Sequence, residues 1–286
     1  ATISTISKDS IQLVLPSRQI TWKAGQHVFL ILPTVSNIPL EAHPFTIANI
    51  PERDQKGKKR KETDLVFYIR AMDGFTRKLY EYAQAHNGGT VPALVDGPYG
   101  VPPPVNTFTT VVLIAGGSGV SFTLPLLLDI ISASRRQATP VKRVVFVWSV
   151  KNYEDLGWAS GVLTLASNNA SPTLSLDLRI HVTRASGLVP SLESAADEKH
   201  IGGEPMSPLS PSSEKGLDSP AKDSRTDVMI TAIEEGSTQG GHSMSKVMKN
   251  VNSSFKTRIG RPDLPGIIQE EIQASSGPVS VNGKFA

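Results

Sequence analysis

The 286-residue chain contains no cysteine. That excludes a disulfide framework, a thiolate metal site, an iron–sulfur cluster and a cysteine nucleophile, and it leaves the redox compartment unmarked. Excess charge of either sign is also small: 29 Lys and Arg against 26 Asp and Glu give a formal +3. Over this length, charge alone therefore implies neither a nucleic-acid partner nor a membrane surface. Long hydrophobic runs are nearly absent. The one candidate span, Val111 to Ile131, carries Gly116-Gly117-Ser118-Gly119 and Pro125 in its middle, and it divides more naturally into a strand and a helix than into a membrane segment. The first residues show no basic flank followed by an apolar run, and the chain opens on Ala1 without Met. This reads as a fragment or processed chain without an intact secretory signal.

What is present, 39% hydrophobic residues over this length, suits about two domains with real cores. From Ile11 to about Val95, short apolar runs are bounded by Gly, Pro and Asn, which is strand punctuation. Strands are expected at Ile11 to Leu15, His27 to Leu32, Phe45 to Ile50, Leu65 to Ala71 and Val91 to Val95, with a helix at Thr76 to Ala85. The expected architecture is a small antiparallel barrel or sandwich. The basic run Lys56-Gly57-Lys58-Lys59-Arg60-Lys61 reads as a solvated hairpin tip, with a weak contact to anionic lipid as the alternative.

Past Pro102-Pro103-Pro104 the texture changes. Thr110 to Ala115, Arg143 to Val150 and Leu176 to Thr183 read as continuously apolar strands, alternating with helices at Phe122 to Ser134 and Tyr153 to Ser167. Such alternation predicts a parallel sheet covered on both faces. An insert of about 185–253, rich in Ser, Pro, Gly, Glu and Lys, is expected to be disordered because it lacks apolar surface to bury. Its Ser207-Pro208, Ser210-Pro211 and Ser219-Pro220 pairs are candidate phosphorylation sites. A strand at Phe255 to Ile259, a helix at Leu264 to Ala274 opened by Pro262-Asp263, and a strand at Val279 to Val281 complete the reading. The expected division is 1–104 for the antiparallel domain and 105–286 for the α/β domain.

The first chemical signal is Gly116-Gly117-Ser118-Gly119, placed between a strand and a helix. Glycines there let backbone N–H groups approach a pyrophosphate, and the helix start adds a favourable dipole. The third glycine of G-x-G-x-x-G is missing, with Phe122 in its place, and no acid follows the next strand, where Ser149-Val150-Lys151 stands. The NAD-type ribose contact is therefore absent, and a phosphate cradle and a structural glycine turn both fit. Three further groups, His43-Pro44-Phe45-Thr46, Gly74-Phe75-Thr76-Arg77 and Gly97-Pro98-Tyr99-Gly100, could each be turn punctuation.

Taken in order, these four groups resemble the ferredoxin-NADP reductase superfamily. Together with Gly116 to Pro125 and Gly260-Arg261-Pro262-Asp263, they are similar to the cytosolic dehydrogenase half of fungal ferric-chelate reductases, relatives of the NADPH oxidases. The resemblance covers about 11–184 and 255–281. It implies FAD held by His43, Pro44, Phe45 and Thr46, with Thr46 beside the flavin nitrogen that receives hydride and therefore the catalytic candidate. Gly74, Phe75 and Thr76, with Arg77 beside them, would meet the FAD pyrophosphate, and Gly97 belongs to the same cofactor shell. Gly117, Ser118, Gly119 and Val120 would cradle the NADPH pyrophosphate. Thr183 and Arg184 would meet the 2′-phosphate, with Arg261 as a second candidate.

The resemblance further implies hydride passing from NADPH to FAD, then single electrons to b-type haem in a membrane domain and on to ferric chelates outside. The whole protein would sit in the plasma membrane with this part on the cytosolic side. No haem-bearing bundle is legible, since none of His27, His43, His86, His181, His200 and His242 lies on a long apolar helix. No metal ligand set and no nucleic-acid partner are expected. The family continues past the last strand with a Cys-Gly segment and a terminal aromatic, whereas this chain ends Val281-Asn282-Gly283-Lys284-Phe285-Ala286. Gly-Lys-Phe is compatible with an intron-donor codon string, so the last four residues are expected to be retained-intron translation. Two other readings stand beside the reductase: an oxygen-reducing oxidase-like flavoprotein, and a non-catalytic dinucleotide-binding remnant.

Overall fold

The computed structural model describes residues 1–16, 20–36, 38, 40–52, 63–184 and 256–285. The basic loop, the insert with its Ser-Pro pairs, His200 and His242 lie outside the described residues.

Alternating apolar positions build two three-stranded antiparallel sheets in the N-terminal part. One sheet runs in the order β1 (Thr2–Ser7), β2 (Ser10–Leu15), β5 (Leu65–Arg70). The other runs β4 (Ala42–Thr46), β3 (His27–Ile31), β6 (Leu94–Tyr99). Along β5, Leu65, Phe67 and Ile69 face inward while Val66, Tyr68 and Arg70 are only half-buried. They join Ile3, Ile11, Leu13, Trp22, Leu30 and Leu79 in one core. Leu79 comes from helix α1 (Phe75–Ala85), whose Phe75, Leu79, Tyr80 and Ala83 form its buried face. Each fully buried side chain of this size stabilises the fold by roughly 1.5–3 kcal/mol.

The strand expected at Phe45 to Ile50 lies earlier, at Ala42–Thr46. Ile47 and Ala48 are buried, but their amides bond to the carbonyls of Gln26, just ahead of β3, and Val66 of β5. The apolar run is thus the corner where the chain crosses between sheets, which is why it resembles a strand in sequence. Likewise Val91 is buried by bonding its amide to the Ala1 carbonyl, and the ladder itself begins at Leu94. β1 has a single fully buried residue, Ile3, too little pattern to be read from sequence.

The second part is a five-stranded parallel sheet in the order β10 (Lys256–Ile259), β9 (Ser175–Val182), β8 (Arg143–Val150), β7 (Thr110–Gly116), β11 (Val279–Phe285). β7 is buried from Thr110 to Ala115, as covering on both faces requires. Helix α2 (Val120–Arg135) buries Leu124, Leu127 and Ile131. After β8, a tight turn over Tyr153–Trp158 opens with a reciprocal Asn152–Asp155 cap, and α3 spans Ser160–Asn168. The single expected helix is therefore split at Ala159. Helix α4 (Leu264–Ala274), capped by Asp263 accepting from the Gly266 amide, sets Ile267 against Val112, Ile114, Val145 and Val147.

Gly117–Arg135 is long and apolar enough to cross a membrane by composition, and two-thirds of its most apolar window is buried in the molecule. Its burial is that of a core helix packed on a sheet. At the start of the central strand β8, Arg143 makes a two-pronged pair with the buried Glu271 at 2.6 and 2.7 Å, joined by Arg179 and Asp177.

Candidate functional site

The strand order reverses beside β7, because β8, β9 and β10 lie on one side and β11 on the other. In open parallel sheets, ligands bind beyond the carboxyl ends of the strands at such a point. A cleft of about 420 Å³ opens here, reached by Gly116 and Gly117 after β7, Ser149 and Lys151 at the end of β8, and Thr183 after β9. Arg261 and Pro262 close one side, Phe285 lies at the end of β11, and Arg70 comes from the antiparallel part.

The glycines of the turn divide by role. Gly117 has φ +54°, a conformation costly for other residues. A side chain there would meet only the Arg70 guanidinium, at 3.6 Å. At Gly119 a Cβ would stand 2.1 Å from the Lys284 carbonyl oxygen, and at Gly116 one would stand 2.5 Å from the Phe285 ring. Two of the three glycines are therefore demanded by the close approach of β11, and Gly117 is the one that leaves room beside the cleft. Ser118 is half-buried and Val120 fully buried. The Gly117–Gly119 turn that leads into helix α2 has no side-chain cap and no acid beside it; the Val120 amide is taken by the Gly117 and Ser118 carbonyls, and the amides of the turn ahead of it suit an anion.

The expected 2′-phosphate group is partly rearranged. Thr183 lines the cleft, but its hydroxyl donates to the Val150 carbonyl at 3.1 Å. Arg184 is exposed, bonds through its backbone to Lys151, and does not line the cleft. Arg261 does line it, and so do Lys151 and Arg70, which the sequence reading did not select. Lys151 stands where an acid would have read the ribose, so the missing acid was itself the available signal. Arg70 is held by Asp9 at 2.8 Å, a long-range pairing without a local signature.

In the antiparallel part, two expected groups meet directly. His43 of β4 stacks on Phe75 of α1 with ring centroids 3.9 Å apart and an interplanar angle of 15°. The His43 Nε2 lies 3.1 Å from Glu41. A hydrogen bond from Ser36, and secondarily the neighbouring His43, hold the Glu41 carboxyl below its ordinary pKa. Pro44 is exposed, and Phe45 packs partly on the core. Thr46 pairs across from His27, whose other neighbour is Tyr99, so the His-Pro-Phe-Thr and Gly-Pro-Tyr-Gly groups flank the same end of β3. Gly97 has φ +134°, and a Cβ there would come within 3.2–3.3 Å of Val28 and Tyr99.

Gly74 has φ +66° with nothing within 4 Å of where a Cβ would stand, and it caps an α1 that has neither a side-chain cap nor an acid in its first turn. Thr76 spends its hydroxyl on the turn, accepting from the Met72 amide and donating to the Asp73 carbonyl. An open helix start beside the stacked His43–Phe75 pair fits a diphosphate joined to a flat ring system. Among the described residues no group of His, Asp and Glu is placed to hold a metal ion.

Each part thus presents a helix start without a side-chain cap, and Arg70 of the antiparallel part reaches the cleft beside Gly117; by family the two parts are an FAD-binding and a nicotinamide-dinucleotide-binding domain. The FAD-binding domain model matches residues 1–103, and the ferric reductase NAD binding domain model matches residues 108–282. The chain belongs to the ferric reductase NAD-binding family. It is 32% identical over 178 residues to a probable cell surface ferric reductase, kap2, of Aspergillus oryzae, covering 59% of this chain and 23% of that protein. It is 29% identical over 205 residues to ferric/cupric reductase transmembrane component 7 of Saccharomyces cerevisiae, covering 69% and 30%. With ferric reduction oxidase 4 of Arabidopsis thaliana it shares 31% over 163 residues, covering 55% and 21%. The chain thus spans about a quarter of the length of these curated relatives. Among solved structures, the human Ncb5or CS-b5R domains match with a TM-score of 0.46 at 19% identity, covering 65% of this chain and 51% of that one. The ferredoxin reductase of carbazole 1,9a-dioxygenase matches with 0.42 at 17%, covering 63% and 48%.

Proposed function

We propose that this chain is the electron-input part of a ferric reductase, binding FAD on its antiparallel part and NADPH on its parallel sheet. The observation that carries this reading is the pair of open helix starts at Gly74 and Gly117, each within its own matched family domain. His43 and Phe75 would hold the flavin end of FAD, with Thr46 beside them. Gly74 and the first amides of α1 would hold its pyrophosphate, with Thr76 fixing the turn. Gly97 keeps the backbone near β3 clear of side chain. Gly117, with the amides that follow it, would take the NADPH pyrophosphate, while Lys151 and Arg261 supply positive charge at the ribose end. Arg184 and Thr183 frame that end through backbone and carbonyl bonds more than by direct charge.

Together the two cofactors supply a hydride donor and an acceptor able to release electrons singly, as a one-electron acceptor such as ferric iron requires. The protein's share is positioning of the two cofactors. Electrons would leave toward a haem-bearing membrane part, with this part on the cytosolic face, and ferric chelates would be the final substrate. The names of the relatives, which include "transmembrane component", support that arrangement.

The test is reconstitution followed by competition. The purified chain should take up one FAD, seen as a flavin absorbance band that stays with the protein. NADP⁺ should bind more tightly than NAD⁺, and the preference should collapse in Lys151→Ala combined with Arg261→Ala. Equal affinity of the unaltered chain for the two dinucleotides would contradict the NADPH assignment.

A further inference from the structure

Trp148 is the sixth residue of β8, is fully buried, and stands in register between Ala115 of β7 and Ile180 of β9. Its indole N–H leaves the strand and donates to the Gly117 carbonyl at 3.0 Å. The small side chain of Ala115, also fully buried, leaves the room for that reach. The Gly117 carbonyl additionally accepts from the Val120 amide at the start of α2. This oxygen is therefore held twice, once by the helix it opens and once by the sheet beneath it.

The consequence follows from peptide geometry. In a trans peptide the C=O and the next N–H point in opposite directions. Holding the Gly117 oxygen toward Trp148 turns the Ser118 N–H away from the sheet, outward from the turn. The positive φ of Gly117 is the backbone setting that allows it. Without the indole this plane keeps only the Val120 bond of the turn itself, and a plane that rotates away would present a carbonyl oxygen to an incoming anion. Pre-fixed donors bind better because their ordering cost is met before the ligand arrives.

We propose that Trp148 is a positioning residue for the dinucleotide diphosphate: its indole N–H fixes the Gly117–Ser118 peptide plane so that the Ser118 amide faces the ligand. The proposal rests on the NADPH reading above. Nothing in the indole touches the ligand, so its effect is confined to the diphosphate and does not reach the 2′-phosphate.

The test titrates the FAD-loaded chain calorimetrically with two probes: NADP⁺, which carries the diphosphate, and 2′-AMP, which carries the 2′-phosphate without it. Two substitutions are compared, Trp148→Phe and replacement of Trp148 alone by benzothienylalanine, whose sulfur takes the place of the N–H at nearly unchanged shape. Loss of one fixed donor to a charged group is expected to weaken NADP⁺ about tenfold, with 2′-AMP held within about twofold. If the Phe variant does not fold, the isosteric variant decides. Equal weakening of both probes, or no weakening of either, would overturn the proposal and make Trp148 a core residue only. If the unaltered chain binds neither probe, the NADPH reading itself fails, and that result is distinct from a failure confined to the variants.

Discussion

The His43 imidazole lies nearly parallel to the Phe75 ring, with centroids 3.9 Å apart, although 31 residues lie between the two in the chain. The pair joins the last strand before the sheet corner to the first turn of α1, and it divides the effects of two substitutions. Phe75→Ala removes a buried ring from the core and should cost about 3–5 kcal/mol in urea denaturation of the FAD-free chain. His43→Ala should leave that stability within about 1 kcal/mol while weakening FAD, followed by quenching of flavin fluorescence. Unchanged FAD affinity in His43→Ala would remove the imidazole from the flavin site.

Gly117 and Gly119 should respond differently to the same change. Gly117→Ala meets no close atom but must hold a positive φ, costing about 1 kcal/mol, and it places a methyl at the cleft, so dinucleotide affinity should fall more than stability. Gly119→Ala drives a methyl into the Lys284 carbonyl and should loosen the end of β11, costing about 2 kcal/mol. Thermal melting with and without NADP⁺ separates the two. The reverse ranking would contradict the division of the turn.

Glu271 is almost fully buried between Arg143 and Arg179. Its hydrogen bond, above all, raises the Arg143 pKa. Glu271→Ala strips the guanidinium groups of this partner and should cost about 3 kcal/mol in urea denaturation, with the cleft residues untouched. A loss below about 0.5 kcal/mol would place the pair among weak surface contacts.

His181 is buried on β9, beside Arg258 of β10 and Arg179 of its own strand, with Ser149 of β8 in register and the Gly260 backbone above it. Burial above all, with the two arginines and against an opposing backbone hydrogen bond at Gly260, pushes its pKa below 6.5. The unfolded chain therefore binds the proton first. The contribution of neutral His181 is complete above about pH 6.5 and is lost as pH falls toward the folded value, with a slope of at most about 1.4 kcal/mol per pH unit. Between pH 7.5 and 5.5, urea midpoints of the native chain should fall further than those of His181→Leu. Parallel curves would show that His181 does not titrate differently in the two states.

Elements with strong local signals were legible from sequence. β8 and α4 fall at the expected bounds because the apolar run Arg143–Val150 is buried on both faces and Asp263 caps the helix. Sequence patterning failed where burial came without a ladder, as at Ile47 and Ala48, whose amides bond to Gln26 and Val66. In the site, the two glycine-led helix starts could be read because they are contiguous. Arg70 and Phe285 could not, since they reach the cleft only through the sheet order that sets β11 beside β7 and through the Asp9 pairing. Gly283 to Phe285, expected to be intron-derived, continue β11 in register with Ile114 to Gly116.

The central claim, that two helix starts hold two cofactors for electron transfer between them, is tested most directly by mixing the FAD-loaded chain with NADPH under anaerobic conditions and following the flavin absorbance band. The account predicts that the band bleaches, and faster with NADPH than with NADH at equal concentration. A chain that takes up no FAD, or a loaded chain whose band NADPH leaves unchanged, would contradict it.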